Sequence, residues 1–575
     1  MIGLTSQGRR LAALASVVLL CALAAPVSAR AASPVPAQFL VGTSAVNIDP
    51  ATPVTMAAYG GFRVNVAPFV QPNRHFYARS IAISALDGSM AHTVVLTVLD
   101  SQGYFLAYKQ DPLTDPGYYG TAGIRKQVMT DRGLDPEHVI IAATHTHNSP
   151  DSIGVWGGGA DPRNVAYLAL VRQKTIQGIE QALSARAPAT LAVGMVDARQ
   201  YQDTLGQVRG DPTTYPLDRI LRVLQARNAA GHVVATLVNY GVHGTVLGPE
   251  PVISPDWPGE VAAQLDARWG TGTTVVVPGA VGRTWPNFPD PHLDKDWQGY
   301  LAVYGRLVVA KVDAALGRSR PIVDGTVNGA GAAWVEPVTD PAAWALLTTQ
   351  ACVPGAVCGT MRSTVPPYYL PAGIVVTSDL NAFRVGDLFI GGAPGEAYPE
   401  VATELQSRVL GAAVCGDNRH VFALSLANDQ VGYTTPTDEY LLALAYGGDE
   451  GIFAPSPVMG NDVINGQLAN ARALGLSTAA DYNGATAGPA APPPNNNDPA
   501  PPFGDASGPA PNCGVAATST TSSPTPAATS NSAQSALPLT STDGAPLVYT
   551  LGLLLLVVMA AGAVIGWWAG RPARG

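Results

Sequence analysis

The stretch VIIAATHTHNSPDSIG, residues Val139–Gly154, joins an apolar run to a pair of histidines. Its first residues form a short run, rich in Val and Ile, that is typical of a buried strand. His145 and His147 follow two positions apart, a spacing that places both side chains on one face of an extended chain. Because imidazole nitrogen is a common zinc ligand, the pair predicts one wall of a metal site. The alternative is a pair of solvent-exposed histidines at a strand end.

Around this stretch, apolar runs alternate with helical patterns over Pro36–Tyr482. Helices are predicted for Asn164–Ala185, for Pro399–Val409 and from Pro258 to about Trp269. Strands that alternate with helices predict an α/β domain with a largely buried sheet. Besides VIIAAT, the predicted strands are HTVVLTVLD, HVVATLVNYG, TTVVVPG, DLFIGG and HVFALSLAN.

The amino-terminal residues 1–29 predict a secretory signal peptide. Arg9 and Arg10 form a basic start, and the apolar run Leu11–Ala25 follows them. Val27-Ser28-Ala29 then supplies the small residues that signal peptidase requires, so cleavage is expected near Ala29.

The carboxyl-terminal part predicts a stalk and a membrane anchor. Residues 483–546 are rich in Pro, Asn, Ala, Ser and Thr, which is typical of a disordered linker. Leu547–Ala569 is an uncharged apolar run long enough to span a bilayer. Two arginines in residues 570–575 place that tail in the cytoplasm, so the protein is expected at the extracellular face of the membrane. Leu537–Ser541 (LPLTS) resembles a sortase signal, which makes attachment to the cell wall the alternative.

The overall composition limits the classes of partner. A net charge of −9 argues against nucleic acid, which requires a basic face. An even number of cysteines remains after signal removal, which predicts disulfides in a secreted protein. Three pairings are open, and the sequence alone fixes neither the pairing nor the oligomeric state. The four cysteines are Cys352, Cys358, Cys415 and Cys513.

Polar residues follow several of the predicted strands at their carboxyl ends, the edge where open α/β sheets bind ligands. Each has an ordinary alternative: a loop histidine, a glutamate in a first helical turn, or a core tyrosine. Their joint placement predicts that they converge. The residues are His145 and His147, His243, Arg283 with Thr284, Glu396 and Tyr433.

Several blocks resemble the neutral (non-lysosomal) ceramidases. THTHNSP is similar to that family's THTHSGP-type motif, and Asn239–Leu265 to its second histidine block. GGAPGEAYPE resembles its Pro-Gly-Glu block, and Leu426–Tyr440 its Asn-x-x-x-Gly-Tyr-x-Thr block. MAAYGGF and FYARSIAIS also fit, so the likeness runs from about Val41 to Tyr440. It implies a catalytic domain over residues 36–482 with an α/β fold and mixed sheets.

The resemblance also implies one zinc ion per chain. His145, His243, Glu396 and Tyr433 would be its ligands, while His147 would orient the substrate or handle a proton. Zinc held in this way lowers the pKa of a bound water, which suits hydrolysis of an amide.

The resemblance breaks at the family's Gly-Asp-Val-Ser-Pro-Asn block, whose serine lines the active site. Pro278–Asn287 reads PGAVGRTWPN, with Gly282, Arg283 and Thr284 in the region of Asp-Val-Ser and no serine. Thr284 is therefore predicted to supply the hydroxyl group. The β-sandwich-like domain that follows the catalytic domain in ceramidases is replaced by the predicted stalk.

The first functional hypothesis is a surface-anchored zinc amidase that cleaves an N-acyl sphingolipid or a similar lipid amide. The alternatives are a zinc hydrolase of another lipid or cell-wall ester or amide, and a non-catalytic surface-binding pseudoenzyme. The altered serine block favours the pseudoenzyme, whereas four intact candidate ligands argue against it. Asp151, Asn148 and Asp256 are the candidate acceptors that would orient the histidine rings.

Overall fold

The computed structural model describes most of the predicted catalytic domain. The predicted signal peptide, all four mature cysteines, residues 484–546 of the stalk and the predicted anchor lie outside the described residues. Within the described part of the chain, no helix is long and apolar enough to cross a membrane. The described residues are 35–59, 74–108, 114–115, 117–154, 156, 161–204, 217–250, 252–287, 297–340, 375–411, 421–437, 439–440 and 453–483.

Strands and helices alternate along the described residues, as an α/β chain requires. The strands are β1 (Gln38–Asn47), β2 (Tyr77–Ala85), β3 (Thr93–Leu99), β4 (Val139–Ala143), β5 (Ala187–Asp197), β6 (Gln202–Thr204), β7 (Ile220–Arg227), β8 (Val233–Tyr240), β9 (Thr274–Pro278), β10 (Thr284–Pro286), β11 (Arg320–Pro321), β12 (Val327–Pro337), β13 (Val375–Val385), β14 (Leu388–Gly392), β15 (Glu396–Ala397), β16 (Val409–Gly411), β17 (Val421–Leu424), β18 (Tyr433–Thr434) and β19 (Ser477–Thr478). The α-helices are α1 (Thr121–Arg132), α2 (Pro162–Ser184), α3 (Asp256–Trp269), α4 (Trp297–Leu316), α5 (Pro399–Arg408) and α6 (Met459–Ala473).

The larger sheet has the strand order β4-β3-β2-β1-β5-β7-β8-β9, with β11 paired to β5. Its two outer pairs, β3 with β4 and β8 with β9, are parallel, and the pairs between them are antiparallel. The sheet curls on itself, as contacts between strands that are not neighbours show. The Thr43 hydroxyl of β1 donates to the Val234 carbonyl of β8 (3.3 Å). Arg79 of β2 likewise reaches the Thr274 carbonyl of β9 (3.1 Å). This curling lets strands at opposite ends of the sheet contribute to one site.

A second sheet has the order β12-β13-β14-β17, in which only β14 and β17 are parallel. Its apolar side chains pack against those of the larger sheet in one core. Phe39, Ile140 and Val277 of the larger sheet are buried together with Phe383 and Phe422 of the second sheet. The predicted α/β class with mixed sheets is confirmed.

Helices cover the other faces of both sheets. Helix α2 packs on β1 and β2, α3 and α4 cover the β7–β9 side, and α5 and α6 cover the second sheet. The three predicted helices are confirmed, with bounds that differ from the prediction by one or two residues. Helix α2 begins at Pro162 because the Asp161 carboxylate caps the Arg163 amide. Helix α3 begins at Asp256, two residues before the predicted start.

The loop after β17 connects the two sheets through Asn428. The Asn428 amide donates to the Ile141 carbonyl of β4 (2.7 Å), and the Ile141 amide donates to Asn428 Oδ1 (3.0 Å). Asn428 therefore acts as one further pairing residue at the edge of the larger sheet. Beside it, buried Asp429 accepts the Leu106 amide at 3.0 Å.

Asp429 makes the stability of this connection depend on pH. Burial raises the pKa of its carboxyl group from 3.8 to about 7. The folded state therefore holds a proton that the unfolded state releases, and this contribution to stability is lost as pH rises from about 4 to about 7. We expect the free energy of unfolding of the wild type, relative to Asp429→Asn, to fall by at most about 1.4 kcal/mol per pH unit in that window.

Urea unfolding of both proteins between pH 4 and 8 measures this difference. The asparagine side-chain oxygen can still accept the Leu106 amide, so the two proteins differ mainly in the ionisable proton. Parallel curves for wild type and variant would contradict the prediction.

Candidate metal centre

The loops that follow β4 and β8 meet backbone to backbone. Thr146 and Gly244 form an isolated parallel bridge, and the His147 amide donates to the Gly244 carbonyl at 3.0 Å. A side chain on Gly244 would have its Cβ 2.7 Å from the His145 carbonyl oxygen. Glycine thus permits the close approach that places His145 beside His243.

A carboxylate reaches the same point from the short sheet of β15 and β18, which follows β14 in the chain. Glu396 lies in β15, which pairs with β18 in parallel so that Glu396 and Tyr433 are register partners. Register partners in adjacent strands present their side chains to the same face of a sheet. The Gly282 amide donates to the Ala397 carbonyl at 2.8 Å, which attaches the loop after β9 to this short sheet.

Three buried side chains converge at this point. Glu396 Oε2 lies 3.3 Å from His145 Nε2 and 3.3 Å from His243 Nε2. His147 Nε2 is 3.3 Å from His145 Nε2, and a candidate ligand atom from each of the three histidines lies within 4.8 Å of the others. The sequence prediction that these residues come together is confirmed. His145, His147 and His243 together could hold a metal ion, so the separate role of His147 stays a prediction.

Backbone carbonyls orient the two buried imidazole rings. His145 Nδ1 lies 2.6 Å from the Gln102 carbonyl oxygen, and His243 Nδ1 lies 2.9 Å from the Thr284 carbonyl oxygen. Because a carbonyl oxygen only accepts, each Nδ1 carries a hydrogen, and each ring directs its Nε2 atom at Glu396. A cation placed between Glu396 Oε2 and the two Nε2 atoms would bind all three, since Nε2 is the acceptor of a neutral ring in this tautomer. This donor set fits a divalent metal ion.

Contact between Glu396 and His145 shifts their pKa values in opposite directions. Burial raises the pKa of Glu396, but His145 and His243 outweigh burial and bring it well below its ordinary value. Burial lowers the pKa of His145, and the Glu396 carboxylate outweighs that effect and raises it. Gln430 Nε2 donates to Glu396 Oε1 at 3.1 Å, which leaves Oε2 directed at the imidazoles. The carboxylate is thus held ionised in the orientation that a cation needs.

The three side chains expected to orient the rings support loops instead. Asp151 accepts the amides of Gly154 and Trp156. Asn148 donates its side-chain amide to the Glu250 carbonyl at 2.9 Å.

Asp256, the third of them, accepts the Val246 and Leu247 amides, and burial raises its pKa to about 6. The acceptors of the ring hydrogens are main-chain carbonyls. The sequence cannot indicate which carbonyls these are, because every residue carries a main-chain carbonyl.

Arg283 and Thr284 support residues that surround the three converging side chains. Arg283 is buried and pairs with Glu400 (3.0 Å) and Glu439 (2.8 Å), and its guanidinium lies 4.4 Å from the centre of the Tyr398 ring. Burial opposes its charge, but Glu400 and the other acidic neighbours raise the pKa of Arg283 above its ordinary value. Thr284 contacts His243 through its carbonyl, and its side chain is fully buried. The predicted catalytic role of the Thr284 hydroxyl stays a prediction.

Trp285 is a site residue that sequence reasoning missed. Its ring stacks on His243, with centroids 4.7 Å apart and planes at 5°, and lies 6.4 Å from the His147 ring. A signal was present in the sequence. Aligning Pro286 and Asn287 with the last two residues of the ceramidase block Gly-Asp-Val-Ser-Pro-Asn places Trp285, not Thr284, opposite the serine.

Comparison with known proteins agrees at the level of fold. Neither protein-family models nor curated protein sequences gave a match. A neutral ceramidase from Pseudomonas aeruginosa superposes with a TM-score of 0.56 and 18% identity, over 78% of this chain and 77% of that chain. A ceramidase complexed with C2 gives a TM-score of 0.57 and 17% identity, over 78% of each chain. The chain has the neutral ceramidase fold. The resemblance found in the sequence blocks is confirmed to this extent.

Within this neutral ceramidase fold, the contact between the two histidine loops generates a test. We expect Gly244→Ala to separate His145 from His243 and to weaken binding of zinc by roughly 10- to 100-fold, the usual effect of disturbing groups that position metal ligands. Competition with a chromophoric chelator measures the affinity. Gly325→Ala is the matched control, because its Cβ would have only the Ala37 Cβ within 4 Å, at 3.9 Å. Equal affinities for the two variants would contradict this account.

Proposed function

We propose that this protein is a zinc-dependent hydrolase that cleaves an N-acyl amide of the lipid class, such as an N-acyl sphingolipid. The observation that carries the proposal is the buried convergence of His145 Nε2, His243 Nε2 and Glu396 Oε2, in which Glu396 Oε2 lies 3.3 Å from each nitrogen. The neutral ceramidase fold supports the same reaction class.

His145, His243 and Glu396 would hold the ion, with Tyr433 as the fourth ligand from the strand beside Glu396. When bound there, zinc would polarise a carbonyl group and lower the pKa of a bound water towards neutral. The chain contributes the rigidity: the Gln102 and Thr284 carbonyls hold both rings, and Gln430 holds the carboxylate. Such preorganisation keeps the ligand geometry fixed during the reaction.

His147 would handle the proton in this reaction. It is half-buried, its ring is 4.9 Å from that of His145, and Tyr59 contacts it edge-on at 5.5 Å. A histidine beside the metal can give a proton to the leaving amine, since its ordinary pKa lies near physiological pH.

A second candidate function is hydrolysis of a different lipid or cell-wall ester or amide. The specific observation in its favour is Trp285 on His243, because an indole ring there shapes the site differently from a serine hydroxyl. The metal ligands and the fold would be the same, and only the substrate would change.

Metal analysis and a substrate panel test the proposal together. We expect the purified full chain to contain about one zinc ion, and His243→Ala to lose it, because a buried ligand is removed. Hydrolysis of N-acyl sphingosines, N-acyl amino acids and lipid esters by the wild type should stop when a chelator removes zinc. Cleavage restricted to the esters would favour the second candidate.

His232→Ala is the matched control, since His232 is solvent-exposed and lies on a turn away from the three converging side chains. It should keep both zinc and activity. Folded wild-type protein that binds no zinc would overturn the enzyme proposal, and zinc binding without hydrolysis of any panel member would favour the pseudoenzyme.

We also propose that the protein is secreted and held at the outer face of the cell membrane. The support is the sequence alone, namely the pattern of residues 1–29 and the apolar run Leu547–Ala569. Deletion of residues 547–575 should move the protein from the membrane fraction to the culture medium, as immunoblots of both fractions would show. A truncated protein that stays with the membrane would contradict a single carboxyl-terminal anchor.

A further inference from the structure

Trp285 lies beside two of the histidines at the candidate metal centre. Its indole is parallel to the His243 ring and faces the His147 ring at 74°. The tryptophan is half-buried, yet its Nε1 atom has almost no exposed surface. Within the part of the chain that the structure describes, this N–H finds no hydrogen-bond acceptor.

The buried indole N–H of Trp285 needs a hydrogen-bond acceptor. Buried Trp N–H groups usually have a hydrogen-bond partner, and leaving one unmade costs about 1–3 kcal/mol. Trp257 shows the ordinary solution in the same protein, because its Nε1 donates to the His243 carbonyl at 2.9 Å. Since the Trp285 ring lies against two of the histidines that meet at the metal centre, a substrate oxygen bound there is a suitable acceptor.

The strand that carries Trp285 is fixed on both sides. Thr284, the preceding residue, accepts from the amide and from Nδ1 of His243, at 3.1 and 2.9 Å. Trp285 itself pairs with Asp203 in the antiparallel β6–β10 ladder. The side chain of Arg283 is held by two carboxylates. The backbone that carries Trp285 is therefore fixed, and stacking on His243 sets the plane of the indole, as a preorganised donor requires.

We propose that Trp285 is a catalytic residue whose indole N–H donates a hydrogen bond to an oxygen of the bound substrate. That oxygen is the carbonyl oxygen of the scissile amide or ester, where negative charge develops during hydrolysis. The ring itself packs on His243 and holds that imidazole in place. This role rests on the proposed hydrolase function, and no covalent bond to Trp285 is involved.

Two replacements separate the N–H group from the ring. Trp285→Phe and replacement of the Trp285 indole by benzothiophene both remove the N–H but keep an aromatic ring against His243. We expect kcat/KM to fall by roughly 10- to 1,000-fold, mainly through kcat, as for loss of other donors to a developing oxyanion. Zinc content and melting temperature should stay at wild-type values. Trp269→Phe, on the far end of helix α3, is the matched control and should retain wild-type kinetics.

A spectroscopic measurement tests the same donor without activity. In the zinc-loaded full chain with ¹⁵N-labelled indoles, the Trp285 resonance is assigned as the one missing from Trp285→Phe. Addition of acetohydroxamate, whose oxygens mimic those of a reacting acyl group, should move this indole proton downfield. The Trp257 indole proton, already bonded to a carbonyl, is the internal reference and should move far less.

The outcomes separate this proposal from the function it rests on. Wild-type kinetics in the benzothiophene protein, or a Trp285 resonance that does not move with acetohydroxamate, would overturn the role of Trp285. If the wild type hydrolyses no substrate, the proposed function fails, and the resonance shift alone decides whether Trp285 faces the ligand. Loss of zinc in both replacements would also overturn the proposal, because it would show that Trp285 acts only by supporting His243.

Discussion

Two imidazole nitrogens and a carboxylate oxygen meet in a buried place, where polar and charged groups are costly unless they are paired. The surrounding structure holds these three groups in contact. The Gln102 and Thr284 carbonyls orient the rings, Gln430 orients the carboxylate, and the curled sheet brings the strands together. The left-handed backbone of His145, with φ at 60°, belongs to the same set of constraints.

The sequence predicts much of this fold where the strands are rich in β-branched residues. All six predicted strands are present, because runs such as TVVLTVL and TVVVP bury both faces. Several other strands are not predicted, among them β1, β12 and β13, which small and polar residues interrupt. Gly42 in β1 shows the reason: a Cβ there would lie 2.2 Å from the Ala182 carbonyl oxygen of α2. Close packing of a helix removes the apolar side chain that a periodicity argument needs.

For the site, residue type and strand-end position were sufficient to predict His145, His243 and Glu396. The main-chain carbonyls that hold the imidazole rings cannot be predicted from the sequence. The same holds for contacts between loops whose residues are far apart in the chain. Trp285 is missed because the sequence prediction places Thr284 at the serine position of the ceramidase block, whereas alignment on Pro286 and Asn287 places Trp285 there, and its stacking on His243 agrees with that alignment. The role of the Trp285 side chain thus becomes visible only through its contact with the His243 ring.

The backbone contact at Gly244 has a consequence for how such a site can diversify. Where two loops touch through their main chains, a larger residue pushes the metal ligands apart, so this position has no freedom to vary. Side chains that project into the cleft from a fixed strand have that freedom. A tryptophan can then stand where the ceramidase block has a serine, while the three converging side chains keep their positions. The fold thus separates the residues that bring the histidines and the glutamate together from the side chains beside them.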